Sequence, residues 1–203
     1  GDDTPIFMGL LNDLFPKTLE LVPRARFRDF EALIKQAAEA KNNQPEENVI
    51  LKISQLREIF VVRWSVFLLG VAGCAKTTIW QTLLDAQNLN GEKSTCATLN
   101  PKGVTRNELY GSISMATREW KDGVLSQIFR DFSNATSHQH EWIVLDGDID
   151  AEWIESMNTV MDDNKMLTLM SGERIALPPM VTLVFEVQDL LVASPATVSR
   201  AGM

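Results

Sequence analysis

An α/β fold of alternating parallel strands and helices, with helices flanking the sheet and one small β-hairpin inserted, is predicted for this 203-residue chain by three observations. An apolar run passes directly into a glycine-rich turn at residues 67–78, FLLGVAGCAKTT. Short β-type runs then alternate with helical stretches through the rest of the chain. A later apolar run, WIVL, stops on Asp146, and the C-terminal edge of a parallel sheet is where such folds receive ligands.

The elements follow in order. Residues 1–62 read as a helical lead-in: 6–15 is apolar-rich and stops at Pro16, and 27–40 mixes apolar and charged residues at helical spacing. Asn42-Asn43-Gln44-Pro45 is a break, after which 46–61 places Val49, Ile50, Ile53, Leu56 and Phe60 on one helical face. Residues 63–203 read as the core, with a buried strand at 65–69, the glycine-rich turn, a helix at 76–86 and a second strand at 95–99. Beyond Pro101, residues 108–111 and the amphipathic 123–132 supply the next crossover, and 142–145 is a third strand. A helix at 151–161 follows. Residues 166–169 and 174–177 flank Ser171-Gly172 and predict a hairpin closed by a two-residue turn. Residues 181–187 form the last core strand.

Composition narrows the function. With 45% hydrophobic residues the chain can bury a core of one-domain size. A formal charge of −8 argues against nucleic acid, whose phosphates are held by Lys and Arg. No run reaches the roughly 18 apolar residues of a membrane span, and the opening GDDTPIF lacks the basic start of a signal peptide, so an intracellular protein that does not enter membranes is expected. Cys74 and Cys96 are too few for a disulfide framework.

The chemistry concentrates in the turn. Gly70, Val71, Ala72, Gly73, Cys74, Ala75, Lys76, Thr77 and Thr78 combine small residues, whose N–H groups can converge on phosphate oxygens, with a Lys for the terminal phosphates. The Thr77 hydroxyl can ligate magnesium, and the pattern is G-x-x-x-x-G-K-[ST] with one departure. Ala75 stands where the second Gly belongs, and its Cβ opposes the positive φ that position favours. Asp146 suits a magnesium partner for Thr77, or alternatively a cap for the following helix. The next residue is Gly147, where many such ATPases carry a Glu that polarises the attacking water. Asp148 is a methylene shorter than that Glu, so hydrolysis at this site is expected to be slow or absent unless Asp148 substitutes.

Three further features stay open from the residues alone. Gln188, after the last strand, either reaches toward a γ-phosphate or is an ordinary strand-end polar residue. Arg200 reads equally as a solvated surface cation. His138 and His140 have metal-pair spacing, but no third ligand is in view and they read as part of a solvated loop. Trp120, Trp142 and Trp153 read as packing residues.

Several stretches together carry a resemblance: NPKGVTRNELYG (100–111), TREWKDG (117–123), WIVLDGDIDAEWIESMNTVMDDNKMLTL (142–169), SGERIALPP (171–179) and FEVQDLLVASPATVSRAGM (185–203), with MGLLNDLFP (8–16) ahead of them. The chain resembles the large subdomain of an AAA+ module of dynein heavy chains, most of all the second of the six modules, and its wording leans toward the axonemal branch. The resemblance implies an AAA+ P-loop fold with a five-stranded parallel sheet, without the small helical lid that would follow Met203. It implies ATP or ADP with Mg2+ as cofactors, little turnover in this module, and Arg200 as a candidate arginine finger reaching the neighbouring first module. Partners implied are the neighbouring AAA+ modules of the same heavy chain, the microtubule through other parts of the motor, and dynein intermediate and light chains through the tail. The setting implied is minus-end-directed microtubule motility in the cytoplasm and cytoskeleton, in a cilium or flagellum axoneme. Two alternatives stand beside this: an autonomous Mg-dependent ATPase using Asp148, and a ring module that holds no nucleotide.

Overall fold

The computed structural model describes residues 3–16, 26–135 and 139–202. Three helices come first: α1 (Thr4–Leu14), α2 (Arg28–Ala40) and α3 (Glu47–Val62). The core then runs β1 (Ser65–Leu69), α4 (Lys76–Leu89), β2 (Ser94–Leu99), a 3-10 turn (Pro101–Gly103), α5 (Arg106–Tyr110), β3 (Gly111–Ile113) and β4 (Trp120–Asp122). It continues through α6 (Val124–Asn134), β5 (His140–Asp146), α7 (Ala151–Met161), β6 (Met166–Thr168), β7 (Arg174–Ala176), β8 (Val181–Val187) and α8 (Pro195–Arg200).

The main sheet is parallel, in the order β1-β8-β5-β2. It has four strands among the described residues rather than five. The fifth position, beside β1, is marked by Gly202 alone, which makes an isolated parallel bridge to Val66. There the Phe67 N–H donates to Gly202 O at 2.7 Å and the Gly202 N–H to Ser65 O at 3.0 Å. One bridging residue is too short to count as a strand.

Alternation along the strands builds two cores, one on each face. Phe67, Ile143, Leu145, Leu183 and Phe185 join Leu125, Phe129, Ile154 and Met157 on one side. Val66, Trp142, Val144 and Val184 meet Phe30, Ile34, Ile53, Leu56, Trp80 and Leu83 on the other. Because both faces are covered, the central strands read as nearly continuous apolar runs. The helices α2 and α3 therefore share a core with α4 and the sheet.

Differences from expectation are local. The helix predicted at 76–86 continues to Leu89, because its stop signal is Gly91 at φ 84°. The Glu92 N–H reaches Gln87 O at 2.9 Å and the Gly91 N–H reaches Asn88 O at 3.1 Å, the double closure of a left-handed helix end. The hairpin β6–β7 is present, but its turn is not the two-residue kind. Leu169 donates to Glu173 O at 2.8 Å, leaving a connection of residues 170–172 with Gly172 at φ 85° in the left-handed position such loops require. A second antiparallel hairpin, β3–β4, occupies part of the predicted crossover.

Candidate functional site

At the end of β1 the chain keeps its pairing for one residue, with the Gly70 N–H on Val187 O at 3.2 Å, and then turns into α4. Val71, Ala72, Gly73, Cys74 and Ala75 are all exposed along this turn. Ala75 sits immediately before the helix at φ 67°, ψ 22°, a left-handed conformation held despite its Cβ. That conformation costs an L-residue about 1–2 kcal/mol. No side chain caps α4, so the N–H groups of its first turn face outward as a site for an anion.

Lys76 arches back over the turn, its ammonium donating to Gly70 O at 2.7 Å and Val71 O at 3.1 Å. The charge thus lies over the glycine-rich turn. Thr77 donates its hydroxyl proton to Glu186 Oε1, and the Trp80 indole donates to Glu186 Oε2 at 3.0 Å. Thr78, half-buried, follows on α4.

Two carboxylates meet this helix start from the sheet. Asp146 and Glu186 are register partners across the β5–β8 pair, and both lie on the α4 face by alternation with Val144 and Val184. Burial pushes the Asp146 carboxyl above its ordinary range, and the neighbouring Glu186 and Asp148 charges add to this while Lys76 opposes it. The Thr77 hydroxyl and the Asp146 carboxylate are oxygen donors of the kind a magnesium ion takes. Asp146 is not the cap of α7, which starts only at Ala151.

The loop beyond β5 is tied to the end of β8. Gly147 donates to Glu186 O at 3.1 Å, and Asp148 Oδ1 accepts the Gln188 N–H at 3.2 Å. Gln188 is exposed at this rim. A Cβ on Gly147 would fall 2.9 Å from Asn100 Oδ1 and 3.4 Å from Pro101 Cδ, so a side chain there would require the Asn100 side chain to give way. Beside the turn lies a cavity of about 920 Å³ whose walls include Leu56, Ile59, Val66, Leu68, Gly70 and Cys74.

Arg200 lies elsewhere. It ends α8, with its Nε on the Asp162 carboxylate and a terminal nitrogen on Ala196 O at 2.8 Å. Its carbonyl accepts from Ser65 Oγ at 3.2 Å, which puts it by the start of β1, the edge opposite the glycine-rich turn. The Asp162 partner raises its guanidinium further above the ordinary value. His138 falls outside the described residues, and His140 opens β5 opposite Ser94, also at the far edge.

Glu186 is a site residue that the sequence pattern does not single out. It stands inside VTLVFEV, a strand otherwise read as apolar core, and it is only 7% exposed. A charge within a fully buried strand was the available signal, since such residues are rarely buried without a partner.

A parallel sheet that delivers a glycine-rich turn, an uncapped helix start and two strand-end carboxylates to one edge defines a P-loop α/β domain. Residues 65–201 match the family model described as AAA domain (dynein-related subfamily), and the chain belongs to that family. Residues 1–77 also match the model described as hydrolytic ATP binding site of dynein motor region. All of the chain aligns with the flagellar outer arm dynein beta chain of Chlamydomonas reinhardtii at 63% identity. It is 54% identical to the ciliary dynein beta chain of Tripneustes gratilla and 52% identical to dynein axonemal heavy chain 9 of Homo sapiens. The chain spans about 4% of the length of each of these relatives.

Proposed function

We propose that this chain is a nucleotide-holding, catalytically quiet AAA+ module of an axonemal dynein heavy chain, the second in its ring. In this reading residues 1–62 are the lead-in and 63–203 the P-loop core. Residues 70–78 cradle ATP or ADP, Thr77 and Asp146 hold Mg2+, and Gln188 lines the rim on the γ-phosphate side. Arg200 serves the neighbouring module as an arginine finger. The heavy chain as a whole hydrolyses ATP to move toward microtubule minus ends in a cilium or flagellum, with microtubules reached through other parts and intermediate and light chains through the tail.

What supports this reading is a glycine-rich turn with Lys76 and Thr77 beside the strand-end Asp146, followed by a residue with no side chain. Lys76, Thr77 and Asp146 lie at one sheet edge, while Gly147 offers no side chain to orient a water. Asp148 is turned to the backbone of Gln188. Positioning of the attacking water is worth orders of magnitude in rate, so nucleotide bound here is expected to persist.

Titration with a fluorescent ATP analogue and a parallel phosphate-release assay test this. The expected result is saturable, magnesium-dependent binding lost in Lys76→Ala, with negligible turnover. Turnover abolished by Asp148→Ala would instead establish an autonomous ATPase. Absence of binding in the unaltered chain would establish a module that packs in the ring without ligand.

A further inference from the structure

Glu186 is the only charged residue in β8, and its two oxygens serve two donors on α4. Oε1 takes the Thr77 hydroxyl and Oε2 the Trp80 indole N–H at 3.0 Å. Thr77 and Trp80 are three residues apart, hence on one helical face. A hydroxyl has one proton and two lone pairs. With the proton given to Glu186, the Thr77 oxygen keeps its lone pairs for something else, and the strand-end carboxylate in register with Glu186 is Asp146.

We propose that Glu186 is a positioning residue for the metal: it draws off the Thr77 proton so that the Thr77 oxygen faces a divalent cation shared with Asp146, while Trp80 fixes the carboxylate in place. This rests on the reading of residues 70–78 as a magnesium-nucleotide site and adds to it a residue that touches neither nucleotide nor protein surface. Outer partners of this kind set the orientation of a ligating atom and so its affinity for the ion.

Glu186→Gln gives a directional test. The indole N–H needs an acceptor, so the amide oxygen turns to Trp80 and the NH2 turns to Thr77. Thr77 must then accept, which occupies a lone pair and swings its own proton toward the cation position. Removing the indole donor as well, in Glu186→Gln/Trp80→Phe, lets the amide reverse and accept from Thr77 again.

The experiment uses the full-length heavy chain carrying this segment, with the P-loop lysines of the other modules changed to Ala so that this site alone reports. A fluorescent ATP analogue is titrated in excess chelator and at graded magnesium. For Glu186→Gln the magnesium concentration at half-effect is expected to rise about ten- to hundred-fold, with a much smaller change in affinity under chelator, and the double variant is expected to recover part of the loss. Where Glu186→Gln does not fold, Trp80→Phe alone carries the test, with a smaller rise in the same direction. An unchanged magnesium requirement, an equal loss with and without magnesium, or a double variant no better than Glu186→Gln overturns the proposal. A parent protein that binds no analogue at any magnesium concentration overturns the nucleotide reading itself, and this inference with it.

Discussion

Ala75 holds a left-handed backbone at φ 67° in the one position of the turn where the pattern asks for glycine. Its Cβ does not prevent the turn from forming; it makes the turn less favourable. Ala75→Gly removes a penalty of about 1–2 kcal/mol and adds back about 0.4–1 kcal/mol of unfolded-state freedom, so a net gain on the order of 1 kcal/mol or less is expected. Because the turn already holds this conformation, the gain is common to free and bound forms and affinity for the ATP analogue should change little. Denaturant midpoints and binding titrations on the two forms check this; an unchanged midpoint would mean that the Ala75 conformation carries no strain. Lys76, Thr77, Asp146 and the gap at Gly147 were legible in the sequence, since each sits at a fixed offset from a strand end. Glu186 was not, because the strand around it reads as a buried run and only its register with Asp146 shows that it faces α4.

At the scale of elements, length decided what could be read. The helices α2 and α3 and the strands β1, β5 and β8 are long enough to display a period or a sustained apolar run. The strands β3 and β4 have three residues each, too few for alternation to register, and α8 has six, announced only by Ser194 and Pro195 at its start. The β6–β7 hairpin was readable, yet what holds it was not: Arg130 on α6 grips both Asp122 on β4 and Glu173 at the hairpin. These bonds hold the carboxyls of Asp122 and Glu173 below their ordinary range. Because both folded values are depressed, the contribution is full above the ordinary carboxylate range and is lost as pH falls through the folded values. Arg130→Ala is therefore expected to lower the Tm by a few degrees at neutral pH, and the gap should close on acidification through that range. A gap that stays constant with pH would mean that Arg130 acts through packing alone.

At the scale of the molecule, one sheet presents two edges with different equipment. The C-terminal ends of β1, β5 and β8 gather the phosphate turn and the carboxylates, whereas the start of β1 carries α8 and Arg200. Five residues of strand at about 3.3 Å each separate those ends, so Arg200 does not reach the nucleotide site of its own module. Its guanidinium, always charged, is held at the end of a short helix by the half-buried Asp162 carboxylate and by Ala196 O. Within the proposed ring, Arg200→Ala should lower ATP turnover at the neighbouring site by about 10³-fold or more if it stabilises the transferring phosphoryl group, with nucleotide affinity here unaltered. Asp162→Ala separates this from a purely structural role: it removes the cis partner but leaves the cation, so a finger tolerates it while a helix anchor does not. Turnover in the full ring, measured for both variants beside the thermal stability of each, decides the matter; unchanged turnover in Arg200→Ala, or matched losses of stability in the two, would assign Arg200 to holding α8 against α7.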